Sequence, residues 1–217
     1  LNKYNRATQT FARFIPDVNN KSSLLSGDIM AIHQDRLGVL WIGAKNGGLN
    51  KLDGSTNIIT SFNLESLTPS EYSVTAIFED EQEVLWLGTS KGFYSLNKER
   101  TSFSHHEISS EQPGDVLVYS IIEEQTETGR SLWLGMTAGG IVKYIPSSGL
   151  SARHSSQGGN QNMLRGNRVW SMCKDKNGML WLGTDQGLNI FNTKKEKFTF
   201  VGHTPDKPGA LSAHQIL

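Results

Sequence analysis

The sequence has one cysteine, Cys173, so no disulfide framework can form within the chain. No stretch approaches the roughly 18–20 consecutive apolar residues of a membrane-spanning helix. The opening LNKYNRATQTF lacks the basic and apolar segments that begin a secretory signal. Charge of one sign is also missing, because 21 Lys and Arg balance 21 Asp and Glu. That balance removes any general attraction to nucleic acid or to an anionic bilayer, and neither is expected as a direct partner. Amphipathic helix is scarce: no segment holds ten residues of apolar 3.6 spacing. What remains is a globular composition, 36% apolar, with 22 glycines.

Those glycines recur in phase. VLWIG (39–43), VLWLG (84–88), SLWLG (131–135) and MLWLG (179–183) place Trp41, Trp86, Trp133 and Trp181 at spacings of 45, 47 and 48 residues. Each copy closes on a glycine: Gly43, Gly88, Gly135 and Gly183. An alternating run precedes each: DIMAIHQD (28–35), SVTAIFED (73–80), LVYSIIEE (117–124) and RVWSMCKD (168–175). Both kinds of run predict β-strands. Between them, Asp35-Arg36-Leu37-Gly38 and Asp175-Lys176-Asn177-Gly178 put Asp first and Gly fourth, the preference of a type I turn, so each pair predicts a hairpin. Cys173 lies inside one alternating run and reads as a small buried strand residue.

A third run follows after a short loop (GLNKLD, GFYSLN, GIVKYI, GLNIFN), and then a more polar fourth. Four antiparallel strands per unit of about 47 residues is the content of one β-propeller blade. The chain is expected to be all-β, with four complete blades and two partial ones: 1–15 the end of a blade, 16–63, 64–106, 107–155 and 156–202 whole blades, and 203–217 the start of the next. In this arrangement Trp faces one neighbouring blade and its flanking Leu or Ile faces the other. The closing glycine allows a tight turn or close sheet approach.

The pattern D-x-x-G-x-L-W-x-G-(T/A)-x-x-G-(G)-L, four times in phase, resembles the two-component regulator propeller repeat. The resemblance implies part of a seven-bladed extracytoplasmic, periplasmic sensor domain. Such propellers belong to membrane-bound signalling proteins whose output is a hybrid histidine kinase or a diguanylate cyclase. It further implies a small-molecule or oligosaccharide ligand, the remaining blades and downstream domains as partners, a possible homodimer, and membrane attachment only through regions outside these residues. Four whole blades cannot close such a ring, so the chain is expected to be a piece of a larger sensor. No cofactor and no metal are implied.

The candidate ligand-binding residues lie where the repeats differ. One aligned position of the first run holds Met30, Thr75, Tyr119 and Trp170, beside a position that is always small: Ala31, Ala76, Ser120 and Ser171. Tyr119 and Trp170 are aromatic surfaces suited to stacking on a flat ligand. Arg168 and the loop residues Lys45, Asn46, Lys91, Asp185 and Gln186 would supply polar contacts. The alternatives are a streptogramin-lyase-like propeller enzyme or a protein-interaction scaffold. His105-His106-Glu107 and His154 are the residues such a lyase would need, but adjacent histidines on a strand point to opposite faces, so no catalytic residue is expected. Asp175-Lys176-Asn177-Gly178 begins like a calcium loop, yet the twelfth position is Gln186, and turn chemistry is the expectation.

Overall fold

A computed structural model describes residues 1–17, 19–108, 117–126, 129–156, 163–202 and 216. The expected start of a further blade (203–217) therefore lies outside the described residues, except for Ile216. Two strands form a ribbon, β1 (Asn2–Asn5) and β2 (Thr10–Arg13). Four-stranded sheets follow: β3 (Ile29–Gln34), β4 (Leu40–Ala44), β5 (Leu49–Leu52), β6 (Ile59–Phe62); then β7 (Val74–Glu79), β8 (Leu85–Thr89), β9 (Gly92–Leu96), β10 (Phe103–His106). The third sheet holds β11 (Val118–Thr126), β12 (Gly129–Met136), β13 (Ile141–Ile145), β14 (Leu150–His154), and the fourth β15 (Val169–Lys174), β16 (Met179–Thr184), β17 (Gly187–Asn192), β18 (Lys197–Val201). Each sheet is an antiparallel meander in chain order, the architecture of a propeller blade. The chain divides into two compact units, Leu1–Ser104 and His105–Leu217.

Alternation along the second strand builds the core on both faces of a sheet. In the first unit Trp41 is 1% exposed and packs among Val74, Leu85 and Leu87 of the following sheet. Its neighbours Leu40 and Ile42 turn the other way, toward Leu52, Ile59, Leu1 and Phe14. In the second unit Trp133 likewise joins Val169, Leu180, Leu182 and Phe191. Burying an indole of this size removes about 150–250 Å² from water, or about 4–6 kcal/mol as an upper bound. The closing glycine is what lets the next sheet come near: a Cβ on Gly43 would stand 2.6 Å from the Val74 carbonyl oxygen, and one on Gly135 3.0 Å from Val169 Cγ1.

The hairpin aspartate does more than start a turn. Asp35 Oδ1 accepts from the N–H of Leu37 and Val39, while its Oδ2 accepts from Trp41 Nε1 at 2.8 Å. Asp80 holds Trp86 Nε1 at 2.7 Å, and Asp175 holds Trp181 Nε1 at 3.0 Å. In the third sheet, whose hairpin is longer, Glu124 takes this place and accepts Trp133 Nε1 at 2.8 Å. An indole N–H between sheets needs an acceptor, and a carboxylate supplies one in each repeat, anchored to the turn's own backbone in the three aspartate copies.

Charged groups also tie sheets together within the first unit. Arg100, at the β9–β10 turn, reaches Glu79 at 2.7 Å and Asp35 at 3.7 Å, with its guanidinium 5.6 Å from the Trp41 ring centre. The Arg36 N–H donates to the other Glu79 oxygen at 2.9 Å. In the second unit Glu124 Oε1 accepts from Thr193 Oγ1 at 2.7 Å.

Cys173 departs from expectation: it is exposed. It lies directly opposite Trp181 across the β15–β16 ladder, and Trp181 is 37% exposed where Trp41 is 1%. This is the face that receives the next sheet in the Trp41 and Trp133 copies. No sheet among the described residues covers it. Ile216 nonetheless touches its margin: the Ile216 N–H donates to Thr184 O at 3.0 Å, and its atoms lie 3.0 Å from a Cβ built on Gly183. Ile216 thus stands to Gly183 as Val74 stands to Gly43.

Candidate functional site

All four inner strands share an irregularity that alternation does not predict. The β3–β4 register shifts between Ile29 and Ala31, β7–β8 between Val74 and Ala76, β11–β12 between Val118 and Ser120, and β15–β16 between Val169 and Ser171. The skipped residues are Met30, Thr75, Tyr119 and Trp170, the aligned set that varies in size. A bulge takes one residue out of the ladder register and re-aims its side chain; the Thr75 hydroxyl donates to Gly88 O at 3.1 Å. The small neighbours then pair opposite glycine: Ala31 with Gly43, Ala76 with Gly88, Ser120 with Gly135 and Ser171 with Gly183. Their smallness fits the close approach of neighbouring chain at Gly43, Gly135 and Gly183.

Within the second unit the bulged aromatics meet. Tyr119 and Trp170 lie 5.4 Å apart between ring centres at 80°, edge to face, and both are half-buried. The Ser120 hydroxyl accepts from the Met172 N–H at 3.2 Å and fixes the spacing of the two inner strands. Trp170 Nε1 is buried and has no hydrogen-bond partner among the described residues.

The loop after each second strand docks beside the entry to its inner strand. Lys45 N donates to Asp28 O, Ser90 N to Ser73 O, Thr137 N to Leu117 O, and Asp185 N to Arg168 O, at 2.9–3.3 Å. In the first unit Lys45, Asn46 and Lys91 are exposed. Asn46, at φ 48°, donates its N–H to Ser73 Oγ at 2.9 Å and accepts from that hydroxyl at 3.3 Å, so its side chain braces the loop. In the second unit Arg168 and Gln186 are exposed and Asp185 is half-buried. The Arg168 N–H donates to Asp185 Oδ1 at 3.3 Å.

Asp185 and Gln186 also line a cavity of about 320 Å³ together with Ser156, Met163, Leu164, Arg165, Gly166 and Asn167. Residues 163–167 were passed over in sequence because they precede the inner strand. Counting back from Val169 and Ile29 gives a usable signal: Leu164 falls where Leu24 stands, both buried, but Arg165 replaces Leu25.

Among the described residues the histidines do not assemble a metal centre. The described residues contain no cluster of three His, Cys, Asp or Glu that could hold a metal ion. His106 Nδ1 lies 2.8 Å from the Tyr144 hydroxyl, His105 faces Glu107 at 3.6 Å, and His154 packs among Trp133, Phe191 and Phe198. Burial holds the pKa values of His106 and His154 below the ordinary 6.5, favouring neutral rings.

Comparison with known proteins gives the same fold. The extracellular domain of the putative one component system BT4673 from B. thetaiotaomicron is 21% identical, with a TM-score of 0.75 over 98% of this chain and 26% of that one. The extracellular domain of the putative hybrid two component system BT3049 from the same organism is 21% identical, with a TM-score of 0.73 over 99% and 27%. PorZ of Porphyromonas gingivalis, a surface component of the type-IX secretion system, is 16% identical with a TM-score of 0.66 over 94% and 31%. The chain thus spans about a quarter to a third of these solved structures. A search of curated proteins gave no match. The family model described as two component regulator propeller matches residues 23–46, 68–91 and 163–186. The sheet from β11 to β14 is not matched, and it is the one whose hairpin is longer and carries Glu124 for aspartate; its strands and its carboxylate–indole bond nevertheless follow the others. Three of the four sheets thus carry two component regulator propeller repeats, and the fourth is built alike.

Proposed function

We propose that this chain is a ligand-sensing propeller segment on the extracytoplasmic, periplasmic side of a membrane-bound signal-transduction protein. In this reading it binds a small molecule or oligosaccharide through the bulged inner-strand residues and the loops beside them. The observation that carries the reading is the bulge itself. It recurs at one position in four sheets and carries a different side chain in each, Met30, Thr75, Tyr119 and Trp170, at a place where the ladder leaves size free to vary. The buried Trp170 Nε1, without a partner among the described residues, adds a donor beside the Tyr119 ring. Arg168, Lys45, Asn46, Lys91, Asp185 and Gln186 are the polar candidates around these positions.

The reading assigns no chemical step to the segment. Ligand binding shifts the equilibrium between two arrangements of the sensor, by no more than the difference in affinity for them. A homodimer, further blades and downstream domains would pass the shift to a histidine kinase or diguanylate cyclase output. The resemblance to BT4673 and BT3049, described as extracellular domains of putative one component and hybrid two component systems, supports this placement.

The test substitutes Trp170→Ala and Tyr119→Ala in the intact protein and follows binding of an oligosaccharide panel together with the output response. A loss of binding of roughly tenfold or more per aromatic, with folding retained, is expected for a lost stacking platform. Unchanged binding and response in both folded variants would overturn the reading.

A further inference from the structure

The cavity beside Asp185 has a chemical character of its own. Asn167 lines it, and the Asn167 Oδ1 is buried and without a hydrogen-bond partner among the described residues. Buried amide oxygens are ordinarily paired, so this acceptor calls for a donor that the described residues do not supply. Asp185 is a second acceptor on the same wall, engaged through Oδ1 by the Arg168 N–H at 3.3 Å. Gly166, at φ +85°, brings the loop against it: a Cβ there would stand 2.6 Å from Asp185 Oδ1.

Arg165 supplies the one cation among the described residues lining the cavity. Its backbone is clamped on both sides, since its N–H donates to Asn189 Oδ1 at 2.9 Å and its carbonyl accepts from Asn189 Nδ2 at 2.8 Å and Thr184 Oγ1 at 3.0 Å. Its guanidinium lies 4.7 Å from the Phe200 ring centre, and no carboxylate among the described residues pairs with it. A guanidinium stacked on a ring keeps its in-plane N–H groups available for a planar anion. Met163 and Leu164 give the cavity an apolar side, and its volume of about 320 Å³ is at the small end for ligand sites.

We propose that this cavity binds a polyhydroxylated carboxylate of monosaccharide size, a hexuronate being the simplest case. Its hydroxyl groups donate to Asn167 Oδ1 and the Asp185 carboxylate, its carboxylate lies in the plane of the Arg165 guanidinium, and its C–H face rests on Met163 and Leu164. The assignment rests on the ligand-sensing reading and narrows it, giving the second unit a preference for acidic over neutral sugars.

Calorimetric titration of the chain with D-galacturonate and D-glucuronate, with D-galactose and D-glucose, and with L-glutamate tests this. A uronate should bind at least about tenfold tighter than its neutral counterpart, the difference one charge-assisted bidentate pair can make. Arg165→Met should abolish that difference, Arg165→Lys should keep part of it, and Asn167→Leu should weaken uronate and hexose alike. Far-UV circular dichroism and the unfolding midpoint report whether each variant folds. The proposal is overturned if wild-type protein binds no uronate, binds uronate and hexose equally, or prefers glutamate. It is also overturned if a folded Arg165→Met variant retains the preference. Oligosaccharide binding lost in Trp170→Ala but untouched in Arg165→Met would sink this assignment while leaving the bulged aromatics as the sensing surface.

Discussion

Replacing Asp80 by Asn changes one carboxylate oxygen into an NH₂ group and alters little else. Asp80 is fully buried. Its Oδ1 accepts from the N–H of Gln82 at 2.8 Å and of Val84 at 2.9 Å, and Oδ2 accepts from Trp86 Nε1 at 2.7 Å. An amide keeps its oxygen on the two backbone donors, which leaves Nδ2 facing the indole N–H, donor against donor. Trp86 is 3% exposed, so water does not replace the lost acceptor. Losing a hydrogen bond to a charged group costs about 1.5–3 kcal/mol, and stranding a buried donor adds about 1–3 kcal/mol. With partial relaxation the expected cost of Asp80→Asn is about 3 kcal/mol, or roughly 6–12 °C in the unfolding midpoint for a chain of this size.

Asp175→Asn is the internal control. Asp175 makes the same contacts, to Asn177 N, Met179 N and Trp181 Nε1, but Trp181 is 37% exposed. Water can take the place of the lost acceptor there, so the shift should be less than about a third of that for Asp80→Asn. Thermal unfolding followed by circular dichroism measures both, on whichever transition each substitution moves if the two units melt separately. Equal shifts for the two variants, or a shift for Asp80→Asn below about 2 °C, would refute the claim that buried carboxylate–indole bonds hold the sheets.

Two further outcomes follow from the same structure. Gly43→Ala pushes a Cβ to 2.6 Å from Val74 O and 2.9 Å from Val74 Cγ1, overpacking that should cost about 1–3 kcal/mol, whereas Gly54→Ala, with nothing within 4 Å, should stay within about 0.5 kcal/mol in the same melting assay. Burial holds His33, His106 and His154 below their ordinary 6.5, so the unfolded chain takes up protons first as pH falls. Their contribution is complete above pH 6.5 and is lost below it. Asp175, lowered chiefly by its bond from Trp181, loses its contribution only below its ordinary 3.8. The melting midpoint should therefore fall between pH 7 and pH 5, and His154→Gln should flatten that slope.

The blade pattern was readable because period and composition agree: Trp alternates with Leu or Ile on a strand covered on both faces, and glycine returns where two sheets touch. The carboxylate under each indole was readable in part. Asp35, Asp80 and Asp175 each stand six residues before a tryptophan, but the spacing reads first as turn chemistry, and Glu124, nine residues before Trp133, breaks it. Cys173 was misread because alternation gives the side of a strand and says nothing about whether a neighbour covers that side. Arg165 and Asn167 were missed for a different reason: they lie on an irregular segment whose hydrogen bonds run to Asn189, 24 residues away, and no local period encodes that contact.

The bulge explains why variation is tolerated where it is. In a regular ladder every second residue must fit the neighbouring sheet, so a change from Thr75 to Trp170 at a paired position would force two blades apart. An inserted residue lies outside the ladder register, and its flanking residues resume pairing one step later, with Ala or Ser opposite glycine. Size can then change at the inserted position without moving the sheet. Each repeat therefore separates two tasks along a stretch of three residues: Val169 and Ser171 keep the spacing to their neighbours, and Trp170 between them is released from it. If Trp170→Thr, copying the second repeat, leaves the melting midpoint nearly unchanged while Ser171→Val, at the paired position opposite Gly183, lowers it by several degrees, the separation holds; the reverse order would show that the bulged residue is a packing residue.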